Sequence, residues 1–344
     1  MNIVVLCGGL SAERDVSISS GTKVALALRG RGHNVALIDV FFGYLGSYVN
    51  PMEIFLRNDP IIEQAISETE PDLEKIRASR SQPNDSLIGD NVIDICRAAD
   101  IVFLALHGDM GENGQLQAVF DIMGVRYTGA GYFGSALAMN KSVSKALFEN
   151  AGIKTPESIT VFRGTAPYRN IGFPCVVKPC SGGSSVGTSI VMTKDEYQNA
   201  LALAFKYEES VLVEQYIKGR ELTVGILGGE PMPVVEIIPK QGFYDYKNKY
   251  QDDMTEEICP AEIGAEMTET VQALAVQVHN SLLLESYSRV DMLVDGGGEI
   301  YVLEANTLPG MTPLSLVPRM GSAMGLEFGR LCEKIIEVSL EKYK

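Results

Sequence analysis

Residues 289–315 constrain the chain most. Two apolar runs of strand length flank the turn Asp295-Gly296-Gly297-Gly298, the pattern of a β-hairpin closed by glycine. Side chains two apart on a strand share a face, so Arg289 lies with Asp291, and Glu304 lies with Asn306 on the partner strand. Three oxygen ligands and one guanidinium can therefore converge. Asp, Glu and Asn are hard oxygen donors of the kind that hold Mg²⁺ against phosphate groups. The plainer alternative is an exposed hairpin whose charged residues only face water, and the rest of the chain has to decide.

At 344 residues and 46% hydrophobic, the chain can bury a substantial core divided over two or three domains. No apolar run reaches the roughly eighteen residues of a membrane span, and the start, Met-Asn-Ile-Val-Val-Leu-Cys-Gly-Gly, carries no basic leader, which predicts a cytoplasmic protein. The cysteines (Cys7, Cys96, Cys175, Cys180, Cys259, Cys332) are scattered without a C-x-x-C pair, so reduced, mostly buried thiols are expected rather than disulfides or a zinc site. The net charge of -15 opposes broad contact with a polyanion such as nucleic acid. An anionic ligand then needs locally placed cations, glycine-rich backbone or a metal.

The amino-terminal run 2–7 reads as a buried strand ending in Gly8-Gly9, followed by a helix over 16–29 and a second strand over 34–40. This is the opening of an α/β layer with parallel strands, in which ligands bind at the carboxyl ends. No G-x-G-x-x-G follows a strand, which disfavours a nicotinamide enzyme. Between 41 and 100 the pattern is less regular, with a helix suggested by Ile61, Ile62 and Ile66 and a polar loop over 79–86. A third strand, 101–107, ends at the glycine-rich stretch 108–114, which lets backbone approach a ligand closely. His107 at that strand end is read either as a substrate contact or as a hydrogen-bonded structural residue. A helix over 115–123, a strand over 126–128 and a helix over 135–151 follow.

The stretch 174–187 delivers Lys178 on a strand and then a loop of glycines and hydroxyls, a composition suited to a lid over phosphates. It is not a Walker A loop, because the lysine precedes the glycines. After a helix over 194–204 comes a strand over 210–217, and Glu221 opens the next strand. The aromatic and charged stretch 242–253 reads as a mobile loop, and the Lys249-Tyr250 pair on it as a substrate-closing device. Helices over 268–284 and 326–343 complete the chain, His279 being structural.

In this order the motifs resemble the D-alanine:D-alanine ligases of the ATP-grasp superfamily. The matching pieces are Gly8-Gly9-x-Ser11-Ala12-Glu13-Arg14-x-Val16-Ser17, His107-Gly-x-x-Gly-Glu112, Ser135-Ala-Leu-Ala-Met-x-Lys141, Lys178-Pro179 with Gly183-Ser184-Ser185-Val186-Gly187, Phe243-Tyr-Asp-Tyr-x-x-Lys249-Tyr250, Arg289-x-Asp291 and Glu304-Ala-Asn306-Thr-x-Pro-Gly310-Met-Thr. They span nearly the whole chain apart from 41–99. The chain departs from the family at Cys180-Ser181-Gly182, at Pro313-Leu314 and at Asp15.

The resemblance implies an α/β fold, α+β in its C-terminal part: a Rossmann-like N-terminal domain over 1–130, a central ATP-grasp subdomain over 131–220 and a C-terminal domain over 221–344. It implies ATP-dependent joining of two D-alanines, through an acyl phosphate, for peptidoglycan precursor synthesis. Lys141 and Lys178 would reach the phosphates, Glu214, Gln215 and Ile217 would hold adenine beside Phe243, and Glu221 would hold ribose. Asp291, Glu304 and Asn306 would hold two Mg²⁺ ions, Mn²⁺ also being suitable. Glu13 would bind the first ammonium in a set with Ser184 and Tyr250; Arg289 and the Gly310 backbone would stabilise the tetrahedral intermediate. His107, Lys249, Ser315 and Leu316 would contact substrate, and the protein would be a homodimer. The rivals are a D-alanine:D-serine or D-lactate ligase of the same family and a nucleotide-binding regulator without turnover.

Overall fold

A computed structural model describes the chain except for residues 58, 62–66, 68–70, 81–84, 166, 168, 241–254 and 314. Among the described residues the strands form three separate sheets. The first is parallel in the order β2-β1-β3, from β1 (Asn2–Cys7), β2 (Asn34–Asp39) and β3 (Ile101–Leu104). Ile3, Val4, Val5 and Leu6 are fully buried, which explains the unbroken apolar run: a parallel strand is covered on both faces and has no solvent side to mark.

The strand ends are tied together where they open. Gly8 and Gly9 both have positive φ, and a Cβ on Gly8 would meet the Asp39 carboxylate at 2.2 Å, so glycine is required there. The helix Arg14–Gly30 begins just beyond, with Arg14 paired to Asp39 and bonded to the Gly9 carbonyl. Ser17 Oγ accepts from the Gly8 amide at 2.9 Å and donates to the Ala105 carbonyl at 2.7 Å, joining the exits of β1 and β3.

The second sheet is antiparallel in the order β4-β7-β5-β6, from β4 (Ser158–Phe162), β5 (Cys175–Pro179), β6 (Ser189–Val191) and β7 (Ser210–Gln215), with the helix Lys194–Ala204 on one face. The third runs β11-β10-β8-β12-β13 with β9 paired to β8, from β8 (Gly219–Leu227), β9 (Glu230–Pro231), β10 (Val235–Pro239), β11 (Thr255–Ile258), β12 (Tyr287–Asp295) and β13 (Ile300–Asn306). The helix Ala265–Ser281 buries Val271, Ala275 and Val278 against it. The closing helix Phe328–Leu340 packs on the first helix, and its Leu331, Ile335 and Ile336 join the same core as the parallel sheet. Among the described residues no helix is long and apolar enough to cross a membrane.

Several local expectations are corrected. The helix expected over 135–151 is two helices, Tyr132–Met139 and Lys141–Asn150. Asn140 is extended between them and its side chain accepts from the amides of Ser142 and Val143. An asparagine that caps competes with continuation of the helix, and periodicity alone does not reveal this. Residues 126–128 make one bridge, Tyr127 to Val102, rather than a strand. The strand expected over 210–217 ends at Gln215, and Glu221 lies inside β8 instead of opening a strand. Ile62 and Ile66 of the suggested helix and the whole loop 242–253 lie outside the described residues.

Candidate active site

The hairpin register brings the expected face together. Arg289 stands opposite Asn306 and Asp291 opposite Glu304, after which the register shifts so that Met292 faces Val302. The bulge leaves Leu303 as the extra residue. Asp291 Oδ1 accepts from Arg289 Nε at 2.9 Å and Thr223 Oγ1 at 2.6 Å; Oδ2 accepts from Arg289 Nη2 at 2.8 Å and Asn306 Nδ2 at 2.9 Å. These four bonds use the lone pairs of the carboxylate and fix the guanidinium in a forked geometry. Thr223, fully buried on β8 opposite Asp291, is a support that the sequence reading missed.

Glu304 carries the other carboxylate of this face and pairs with Lys141 Nζ at 3.1 Å, while the same ammonium donates to the Gly182 carbonyl at 2.6 Å. Burial alone would lower the Lys141 pKa, but the facing Glu304 outweighs it and the group is held above its ordinary value. The turn at Asn140 aims Lys141 here. The lysine thus joins the acidic hairpin to the glycine loop.

Between the two antiparallel sheets lies a cleft of about 560 Å³. Lys141, Lys178, Gln215, Ile217, Glu221, Asp291 and Glu304 all border it, as does Glu214. The Glu214 carboxylate is buried and bonded to Lys178 and, at 2.9 Å, to Lys145. Burial would raise its pKa, but the two ammoniums more than reverse this and hold it below the usual carboxylate range.

The glycine loop also reaches the parallel layer. Ser184 donates to Glu13 Oε1, and Ser184 and Ser185 have φ of 46° and 58°, in the left-handed region. Gly183 passes so close that an added Cβ would lie 2.6 Å from Glu13 Oε2. Glu13 is itself framed by Gly108, whose Cβ position lies 3.0 Å from the same oxygen.

His107 is buried, with Nε2 3.2 Å from Ser20 Oγ, and burial lowers its pKa although Glu13 opposes the shift. Ser20 Oγ also accepts from the Met311 amide at 3.3 Å, which docks the loop after β13 on this wall. In that loop a Cβ on Gly310 would stand 2.9 Å from Ser315 Oγ, and Ser315 precedes the helix Leu316–Ala323. Glu112 accepts from the Gly108 amide at 2.6 Å; burial and then the Glu13 charge push its pKa above the usual carboxylate range. The sequence motif contained Glu112 without assigning it a task.

The expected residues therefore gather in two linked places: Lys141, Lys178, Glu214, Gln215, Ile217, Glu221, Asp291 and Glu304 around the cleft, and Glu13, Ser184, His107, Gly310, Ser315 and Leu316 toward the parallel layer, with Arg289 and Asn306 on the hairpin face. Phe243, Lys249 and Tyr250 lie outside the described residues. Among the described residues no group of three or more His, Cys, Asp or Glu converges as a ready metal cage. The hairpin offers two carboxylates and an amide instead.

Two antiparallel sheets clasping a cleft, with Lys141 and Lys178 on one side and the hairpin carboxylates Asp291 and Glu304 on the other, beside a parallel layer that offers its strand ends, define an enzyme of the ATP-grasp ligase class. The family described as D-ala D-ala ligase N-terminus matches residues 2–130, and that described as D-ala D-ala ligase C-terminus matches residues 147–337. The D-alanine--D-alanine ligase of Pediococcus pentosaceus is 41% identical over 343 residues, covering 98% of this chain and 97% of its own length. That of Lacticaseibacillus casei is 42% identical over 350 residues, covering 100% and 97%. The crystal structure of D-alanine--D-alanine ligase from Bacillus anthracis complexed with ATP superposes with a TM-score of 0.74 at 31% identity, over 99% of this chain and 98% of that one. The chain belongs to the D-alanine–D-alanine ligase family.

Proposed function

We propose that the protein joins two D-alanines into D-alanyl-D-alanine with conversion of ATP to ADP and phosphate, supplying a peptidoglycan precursor. The observation that carries this is the single connected surface running from Glu13 through Ser184 and the glycine loop to Lys141, Glu304, Asp291 and Arg289. A carboxylate suited to an ammonium, a set of cations suited to phosphates and an acidic hairpin along one path support this reading.

A free carboxylate is a poor acyl donor, because its leaving group would be oxide. Phosphorylation by ATP gives an acyl phosphate whose departing group is phosphate. Positioning and electrostatics supply nearly all the catalysis of such a transfer. Lys141 and Lys178 hold the nucleotide phosphates, Gln215 and Ile217 flank adenine with Glu214, and Glu221 takes the ribose. Glu13 holds the first D-alanine's ammonium while Ser184 closes the loop over it. Arg289, fixed by Asp291, and the Gly310 backbone receive the oxyanion that develops when the second amine attacks; a permanently charged, forked donor suits that task. Ser315 and Leu316 border the second amino acid, and His107 holds the floor beneath the first.

The donors of the hairpin fit a hard divalent cation such as Mg²⁺ or Mn²⁺, which would neutralise phosphate charge when bound. Asp291 has its lone pairs engaged, so ligation there requires Asn306 to turn its amide and present Oδ1. Glu304 would leave Lys141 for the cation, freeing that ammonium for phosphate. In this reading residues 1–130, 131–220 and 221–344 are the three functional units, the protein is a cytoplasmic homodimer, and Phe243, Lys249 and Tyr250 complete the closed site.

The test is phosphate release with and without D-alanine, paired with quantification of dipeptide. One phosphate per D-alanyl-D-alanine supports the assignment; release indifferent to D-alanine contradicts it. Supplying D-serine beside D-alanine separates the neighbouring specificity, since a mixed dipeptide as the main product would replace the proposed one.

A further inference from the structure

Lys145 has no place in the reaction as described, yet it is among the most buried charges in the protein. Its side chain is 2% exposed, and it lies one helical turn after Lys141 on the helix Lys141–Asn150, so both ammoniums leave the same face. Lys145 Nζ donates to Glu214 Oε2 at 2.9 Å and to Thr155 Oγ1 at 2.7 Å. Thr155 Oγ1 in turn donates to the Val302 carbonyl at 2.8 Å, on the strand that carries Glu304. The other Glu214 oxygen is taken by Lys178.

This is a buried row of two cations about one anion, with one positive charge in excess. Were Glu214 to face Lys178 alone, the pair would be neutral and Lys178 would be held as the only counter-charge of a carboxylate that is 3% exposed. A buried carboxylate stripped of one partner grips the remaining one harder, because leaving it unpaired is costly. Lys145 supplies the compensating charge, so Lys178, 12% exposed and bordering the cleft, keeps its own for a ligand.

We propose that Lys145 is a positioning residue for the nucleotide: by neutralising Glu214 from behind, it releases the Lys178 ammonium toward the anionic phosphates and holds Glu214 at a fixed place beside the base. The Thr155 bridge ties this setting to the C-terminal sheet. The inference rests on the reading that nucleotide occupies the cleft.

The experiment uses the full chain and measures binding of the imido analogue of ATP with Mg²⁺ by calorimetry, for four forms: unaltered, Lys145→Met, Glu214→Gln and the double variant. Lys145→Met is expected to weaken binding tenfold or more and to raise the KM for ATP, while the KM for D-alanine stays within twofold. Because the proposed action of Lys145 on the nucleotide runs through Glu214, adding Lys145→Met to Glu214→Gln should weaken binding far less than Lys145→Met does alone. A merely structural lysine would weaken both backgrounds alike, and that result overturns the proposal, as does unaltered binding by Lys145→Met. Should Lys145→Met not fold, the comparison of the double variant with Glu214→Gln still decides, since both have lost the buried negative charge. Failure of the unaltered protein to bind the analogue would instead refute the nucleotide reading itself.

Discussion

Gly183→Ala isolates the closure of the glycine loop over Glu13. Gly183 has no positive φ, so alanine costs nothing in backbone conformation, but its methyl would stand 2.6 Å from Glu13 Oε2 and 3.3 Å from Cδ. The carboxylate can yield only by giving up the bond that Ser184 makes to its other oxygen. Either the Ser184 bond to Glu13 breaks or the loop stays lifted. A hydrogen bond to a charged group contributes about 1.5–3 kcal/mol, which converts to a loss of roughly ten- to a hundredfold. The loss should fall on kcat/KM for D-alanine, measured by coupled phosphate release, while the affinity for the ATP analogue changes little. The melting temperature should also hold, since the loop contributes little core. If kcat/KM for D-alanine stays within twofold of the unaltered enzyme, closure through Glu13 is not part of catalysis.

Arg289→Met removes the guanidinium proposed as oxyanion donor and should cut dipeptide formation by about 3 kcal/mol, on the order of a hundredfold, with nucleotide binding largely kept; near-normal turnover would take Arg289 out of the mechanism. Glu304→Gln removes one charge from the metal-facing side and should raise the magnesium concentration needed for half-maximal activity; an unchanged magnesium titration counts against that ligand. His279 is 3% exposed, its Nδ1 is 2.8 Å from Ser288 Oγ, and burial lowers its pKa from 6.5 to about 4. A folded pKa below the unfolded one favours the native state above pH 6.5, and this contribution is lost as pH falls through about 4. Its size is of order 3 kcal/mol at about 1.4 kcal/mol per unit, so His279→Gln should flatten the urea stability profile across that window; an unaltered slope would mean His279 does not govern it.

The parallel layer was legible because buried strands leave unbroken apolar runs such as 2–7 and 101–104, and because Gly8-Gly9 marks a turn only glycine can make. The hairpin was legible from its glycine turn and two-residue alternation. That alternation could place Asp291 and Glu304 on common faces, but the bulge at Leu303, which sets their register, leaves no mark in the sequence. Asn140 was hidden for a related reason: a cap within a continuous apolar period looks like more helix. Thr223 was invisible because its task depends on β8 lying beside β12, a pairing between segments nearly seventy residues apart. Lys145 did carry a signal, the four-residue spacing from Lys141, but a lysine on a helix is ordinarily solvated, and only the tertiary packing shows it buried against Glu214.

On the proposed reading the hairpin face holds divalent cations against the nucleotide phosphates. Crystals grown with Mn²⁺ and the ATP analogue, measured at the manganese absorption edge, test it most directly. The account predicts two anomalous peaks within coordination distance of Glu304, one shared with Asp291 and the other with Asn306. Peaks elsewhere, or none beside those carboxylates while the nucleotide is bound, would contradict it.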